Sequence, residues 1–240
     1  MMDWGRLFES VAGAAVGASA GLAYAVRYPG SSLLAPSVHR GATTRKAIAL
    51  TFDDGPSEST PELLDVLAAF GATATFFVCG ANARRLPEIA RAVAARGHEI
   101  ANHTDTHPML YGKSREFIYQ ELVQAQNAIE SVTGVRPKYF RAPYGVRWFG
   151  LRQAQERLDL KGVMWTTIAL DWKWPADRVI RRVLGGAKNG AILCLHDGRA
   201  LTPKPDIRVT LETVRAVLPK LMEQGFHFEK VSEILCPTKS

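Results

Sequence analysis

Thr51-Phe52-Asp53-Asp54-Gly55-Pro56 sets two carboxylates side by side ahead of a Gly-Pro turn. Turn chemistry and helix capping account for one aspartate there. They account less well for two, because adjacent carboxylates repel and stay ionised together only beside a cation. A metal held by one of the pair, with its neighbour left to take a proton, meets that demand. Asn102-His103-Thr104-Asp105-Thr106-His107-Pro108 supplies matching donors. Two imidazoles four residues apart can converge on one ion as neutral nitrogen ligands, at about 2.0–2.1 Å for zinc. Pro108 disfavours a helical conformation at His107, which puts the pair on a loop or a single turn. One aspartate with both histidines makes a His2Asp set with positions open to water and substrate, the composition of a catalytic rather than a structural site. Asp105 adds a further oxygen, read as loop-orienting or solvated before it is read as a ligand.

Three more polar groups follow the same logic. In Arg141-Ala142-Pro143-Tyr144-Gly145 the guanidinium can hold a catalytic aspartate ionised and oriented. The backbone N–H of Tyr144, on a stiff Pro-led turn, is a candidate oxyanion donor. Leu170-Asp171-Trp172-Lys173-Trp174-Pro175 combines a carboxylate with two indoles, which suit a sugar site as well as rim packing. Leu195-His196-Asp197-Gly198 brings a third histidine.

The elements that must position these groups alternate strand and helix. Short apolar or β-branched runs read as strands at 47–52, 73–78, 98–102, 138–141, 162–168, 191–195 and 226–231. Between them lie helical patterns. One opens at Ser59 with Pro61 and Glu62 and closes near Gly71; another covers 86–96. The clearest runs from Ser114 to Thr133, with Ile118, Leu122, Ala125, Ile129 and Val132 stepping by four and three and Gly134 after it. A last helical pattern covers 207–224. Such alternation argues for parallel pairing through crossovers, in a closed or nearly closed barrel or an open sheet. Active sites in these architectures gather at the C-terminal ends of strands, where the five polar groups fall.

The chain has 240 residues, 47% hydrophobic and 22% charged, which predicts a packed globular body rather than disorder. Its net charge of +7 suits anionic surroundings. The basic residues are scattered and not interleaved with aromatics, so nucleic acid is not the expected partner. Cys79 and Cys194 sit in apolar runs as small buried hydrophobes, and Cys236 completes an odd number without metal-like spacing. Residues 11–26 carry no charge and lie between Arg6 and Arg27; they read as a signal peptide, a membrane anchor or a surface helix, with a cell-envelope location expected. A Pro/Gly/Ser-rich stretch from Tyr28 to Gly41 then divides an N-terminal segment, 1–40, from a catalytic domain, 41–240.

Taken in order, these motifs resemble the polysaccharide deacetylases with a NodB-type catalytic domain, carbohydrate esterase family 4, over roughly residues 45 to 235. Thr-Phe-Asp-Asp-Gly-Pro is similar to the family's first motif and His-Thr-x-x-His to its second; Arg-x-Pro-Tyr, Asp-Trp and Leu-His-Asp are similar to the rest. The resemblance implies a distorted (β/α)7 barrel and a divalent metal, Zn2+ before Co2+ or another ion. It assigns Asp54, His103 and His107 as metal ligands and Asp53 as the base, oriented by Arg141. It gives Tyr144 the oxyanion N–H, His196 the acid proton, and Asp171 the tuning of that acid. Leu195 and Trp172 are implied in substrate binding. The implied reaction is hydrolysis of N-acetyl groups on the sugars of a glycan, with an ester deacetylase, a small-molecule amidase and a non-catalytic glycan-binding domain as alternatives. In one respect the chain departs from the pattern: many members carry an acid shortly before the fourth motif, and Thr166-Thr167-Ile168-Ala169 has none.

Overall fold

A computed structural model describes residues 20–237. Its centre is strand β2 (Ala47–Gly55), every residue of which is buried. Outward-facing Ile48, Leu50 and Phe52 alternate with inward-facing Ala49, Thr51 and Asp53, as the two-residue strand period requires. Around β2 stand β1 (Ser37–Val38), β3 (Thr75–Val78), β4 (Glu99–Asn102), β5 (Tyr139–Phe140), β6 (Lys161–Val163), β7 (Thr167–Ile168), β8 (Ala191–His196) and β9 (His227–Phe228). The strand order is β1-β6-β5-β4-β3-β2-β8-β7, with β9 also on β2. All these pairings are parallel. The sheet curls into a half-barrel wrapped by helices, the distorted α/β barrel expected.

The helices are α1 (20–27, the described part), α2 (Thr60–Ala69), α3 (Gly80–Arg85), α4 (Pro87–Ala95), α5 (Arg115–Thr133), α6 (Leu151–Leu158), α7 (Ala176–Gly186), α8 (Arg208–Glu223) and α9 (Val231–Ile234). Helix α5 begins where its sequence says: Ser114 Oγ accepts the Phe117 N–H at 3.1 Å, and Gly134 closes it in the left-handed region at φ 72. Ser59 precedes α2 without making a side-chain cap. The main core lies between the outer face of the sheet and α2, α4, α7 and α8, and is built on Phe52, Phe76, Leu63, Leu67, Leu193, Leu195 and Leu218. Truncating one of these fully buried aromatics to alanine would cost about 3–5 kcal/mol. A smaller cluster of Ala49, Phe77, Ala101 and Ile192, with Ile234 of α9, fills the inside of the curl.

Two expectations meet a different outcome. The single strand expected at 162–168 is two, β6 and β7. Around Met164–Thr166 the chain leaves one set of partners for another: Met164 N–H donates to Val38 O, and Thr166 N–H to Ile192 O. The expected division after residue 40 does not coincide with an edge of the packing. Ala25, Val26 and Ala35 are buried, and Ser37–Val38 pairs with β6. Composition hid this, because the arm buries only a few small apolar residues and its carbonyls are held by donors from the body. Arg147 donates to the Tyr28 and Ser31 carbonyls, Arg152 to Ser32, and Gln155 to Pro36. Of the apolar run at 11–26, residues 11–19 lie outside the described residues. Among the described residues no helix is long and apolar enough to cross a membrane.

Candidate metal and acid–base site

At the C-terminal rim of the sheet, Asp53, Asp54, His103, His107, Tyr144, Trp172 and His196 line one cleft of about 430 Å3. Consecutive strand residues face opposite ways, so both aspartates should not reach it. A bulge resolves this. The β2–β3 register shifts between Asp53 and Gly55, and Asp54 takes the left-handed region at φ 72, which turns its side chain to the side of Asp53. The flanking glycines permit the close fit: a Cβ on Gly55 would overlap the Asp197 carboxylate, and one on Gly198 the Asp54 carbonyl.

Asp54 Oδ1 lies 3.2 Å from His103 Nε2 and 2.9 Å from His107 Nε2. Its other oxygen accepts the Ala200 N–H at 2.9 Å, and its carbonyl accepts the Asn82 side-chain amide at 2.8 Å. Burial works to raise the Asp54 carboxyl, and the two imidazoles at Oδ1 override it, holding the group well below the usual carboxylate range. His103 Nδ1 is 2.8 Å from the Arg141 carbonyl, which can only accept, so Nδ1 carries a proton and Nε2 is the atom aimed at Asp54. Two imidazole nitrogens and one carboxylate oxygen thus converge on a single point. That donor set fits a divalent metal.

The loop bearing the histidines is held from behind. Buried Glu121 of α5 accepts the N–H groups of Asp105 and Thr106 at 3.0 and 2.8 Å and the Thr106 hydroxyl at 2.7 Å. Asp105 pairs with both terminal nitrogens of Arg84 at 2.8 Å, so it orients the loop. The sequence carried one signal for Glu121: an acid on the inward stripe of α5, between Ile118 and Leu122.

Asp53 and His196 are register partners across β2 and β8. Asp53 Oδ1 accepts from Arg141 Nη1 at 2.6 Å. Arg141 is fully buried, also donates to Thr51 Oγ1 and to the carbonyls of Val163 and Met164, and stacks on Phe77 with its guanidinium carbon 4.0 Å from the ring centre. Asp53 Oδ2 faces the Cys194 thiol at 3.4 Å. Asp53, Cys194 and His196 also bring three donor atoms together. This grouping lacks a thiolate, because burial, reinforced by Asp53, pushes the Cys194 thiol well above its ordinary range. Two of its members already have partners, Asp53 in Arg141 and His196 in Asp171, so it reads as a hydrogen-bonded acid–base group.

His196 Nδ1 meets Asp171 Oδ1 at 2.8 Å, while Asp171 Oδ2 accepts the His196 N–H and the Thr210 hydroxyl at 2.9 and 2.7 Å. Burial alone would lower the imidazole; the Asp171 carboxylate reverses that and raises it to about 9. Asp197, the next residue, is pushed up to about 7 by burial, with Thr60 Oγ1 donating to its Oδ2 at 2.6 Å. Tyr144, in the left-handed region at φ 58, lays its ring across His107 at 4.8 Å. Trp172 lies edge-on to His196 at 4.5 Å.

The structure thus brings together every expected site residue except Leu195. On β8 the inward residues are Ile192, Cys194 and His196; Leu195 points outward into the main core, as strand alternation requires. The apolar lining comes instead from Trp165, Ile168 and Leu170. Asn82, Glu121, Cys194 and Thr210 are supporting residues that no motif marked, and Thr51, within the first motif, was given no role there.

Residues 40–163 match the family profile described as polysaccharide deacetylase. The peptidoglycan-N-acetylglucosamine deacetylase PgdA of Listeria monocytogenes is 36% identical over 87% of this chain, which spans 42% of that relative's length. A chitooligosaccharide deacetylase of a Bradyrhizobium strain is 35% identical over 79% of this chain and 90% of its own. Among solved structures, a mutant of BA3943 from Bacillus anthracis superposes with a TM-score of 0.77 at 27% identity, covering 85% of this chain and 72% of that one. BA3943 is described as a carbohydrate esterase family 4 pseudoenzyme, and the mutant as having restored activity.

Proposed function

The chain belongs to the polysaccharide deacetylase family, and from that premise we propose that it hydrolyses N-acetyl groups on the sugars of a glycan. One observation carries the reading: a His2Asp donor set, an arginine-held carboxylate and a carboxylate-held imidazolium share one cleft. The pseudoenzyme among the similar structures makes residues rather than fold the criterion, and none of the expected groups for base, acid or metal is missing.

Asp54, His103 and His107 would hold the divalent ion, and the imidazole-rich donor set favours Zn2+, with Co2+ a substitute. An ion held by these three residues would supply Lewis-acid polarisation of the acetamide carbonyl and a lowered pKa for an attacking water. Asp53 takes the proton of the attacking water; Arg141 fixes Oδ1, and Oδ2 is the oxygen beside Cys194. The Tyr144 N–H donates to the oxyanion. His196, protonated because Asp171 stabilises its cation, gives its Nε2 proton to the departing amine. Trp165, Ile168 and Leu170 offer the acetyl methyl an apolar wall, and Trp172 packs on a sugar face. The net charge of +7 and the apolar run at 11–26 support an envelope location, which fractionation of cells making the full chain would check.

The test is acetate release, with mass spectrometry of the products, from chitooligosaccharides, peptidoglycan glycan strands and acetylated xylan in the presence of zinc. Free amines on the N-acetylated glycans are expected. Release from xylan alone would make the chain an ester deacetylase, and glycan binding without release would make it a non-catalytic domain.

A further inference from the structure

The deacetylation chemistry gives Cys194 no task. Its sequence reading is a small buried hydrophobe, and full burial agrees with that. Its Sγ nevertheless lies 3.4 Å from Asp53 Oδ2. The other acceptor in reach, the Leu195 carbonyl, is farther at 3.9 Å and uncharged. The backbone fixes where the sulfur can be. Cys194 pairs with Thr51 of β2 on one side and Ile168 of β7 on the other, and its carbonyl accepts the Ala169 N–H at 2.8 Å. Two residues before His196 on the same strand, it shares the inner face with Asp53, the register partner of that histidine. Cys79 makes the contrast: equally buried, its sulfur faces a neutral acceptor, the His103 carbonyl at 3.8 Å.

Asp53 has a use for such a neighbour. Arg141 Nη1 holds Oδ1, but a carboxylate held at one oxygen can still turn about its Cβ–Cγ bond, because that torsion is broad for aspartate. Nearby donors are already spent: the Thr51 hydroxyl donates to Leu193 O at 2.9 Å, and His196 Nδ1 faces Asp171. Among the described residues the thiol is the donor at Oδ2. It stays a donor, because burial, reinforced by the Asp53 charge, keeps it protonated. A hydroxyl would bind an ionised oxygen strongly, whereas a thiol is a weak donor that can aim Oδ2 and still leave it free to take a proton. We propose that Cys194 is a positioning residue for the base: its S–H donates to Asp53 Oδ2 and, with Arg141 on Oδ1, fixes the carboxylate plane so that Oδ2 meets the attacking water. This rests on the deacetylase reading and adds to it a residue just outside the Leu-His-Asp motif.

Two readouts test this. The S–H stretch falls in a part of the infrared spectrum where no other protein group absorbs, and the band lost in Cys194→Ala is its own. That band should move to higher frequency in Asp53→Asn and in Asp53→Ala, as the charged acceptor is removed; the shift itself needs no substitution at 194 to fold. The rate then separates a donor from a filler. With zinc added, Cys194→Ala should lower kcat for acetate release about fivefold, with KM and zinc content unchanged. Cys194→Val, which fills the space without a donor, should be as slow. Cys194→Ser, which keeps a donor on a shorter bond, should be faster than either. A band unmoved in both Asp53 variants would overturn the proposal. Full kcat in Cys194→Ala, or a valine variant faster than the serine one, the pattern of packing alone, would overturn it as well. Absence of acetate release from the unsubstituted chain would instead sink the deacetylase reading, and the band would then judge the hydrogen bond by itself.

Discussion

The cleft holds two histidine environments that differ in the partner of Nδ1. On the β2–β4 side, His103 Nδ1–H donates to the Arg141 carbonyl, a neutral acceptor, and Nε2 faces Asp54 beside His107. On the β7–β8 side, His196 meets the Asp171 carboxylate instead and is held protonated to about 9. Each side also has an edge-on aromatic ring, Tyr144 on His107 and Trp172 on His196. Carbonyl against carboxylate is what separates an electron donor for a metal from a proton donor for a leaving group. Between them sits Asp53, tied to the first side through Arg141 and to the second by strand register.

Removing the group between the two sides has the largest expected effect. Asp53→Asn should lower kcat for acetate release by about 10^3-fold, within the range of general base catalysis. Metal content by elemental analysis should be unchanged, because Asp54 and both imidazoles remain. Next comes erasing the difference between the sides. In Asp171→Asn the His196 imidazole loses the partner that raises it, and kcat should fall about 10^2-fold. The acid form of His196 is populated below its pKa and lost above it. The alkaline limb of the pH–rate profile should therefore move from about 9 down toward the ordinary histidine value. An alkaline limb that stays near 9 in this variant would break the comparison.

A smaller effect sharpens the metal side alone. Glu121→Ala frees the backbone of the His103–His107 loop and should weaken metal affinity by about 10- to 100-fold, read by chelator competition. The activity of the metal-saturated variant should be largely kept. The smallest is Trp172→Ala, which removes a half-exposed ring from the acid side. It should raise KM about fivefold, with little change in the alkaline limb.

Much of this was legible in the sequence, for identifiable reasons. The outer residues of β2 and the stripe of α5 announce their faces by period, and the polar groups fall where parallel strands end. The same period correctly turns Leu195 away from the cleft and was there to be used. Other features were hidden. Asp54, His107, Tyr144, Leu170 and Ala200 all line the cleft at positive φ, and of these residue types only Asp and His are enriched in that region. Such strain is imposed by surrounding contacts, here the bulge at Asp54 and the anchored Ala200 turn, and leaves no compositional mark. The arm before residue 37 was misleading for a related reason. Its carbonyls are satisfied by Arg147, Arg152 and Gln155 from far along the chain, so its own Pro/Gly/Ser composition reads as a linker.

The central claim is that a divalent ion on Asp54, His103 and His107 is required for hydrolysis. It is tested most directly by stripping the purified chain with a chelator and following acetate release as zinc is returned stepwise. No turnover is expected in the stripped protein, followed by a rise that levels at about one equivalent, as for a single three-ligand site. The same titration should fail to restore activity in His107→Ala. Full activity in the metal-free protein, or recovery in that variant at the same equivalence, would contradict it.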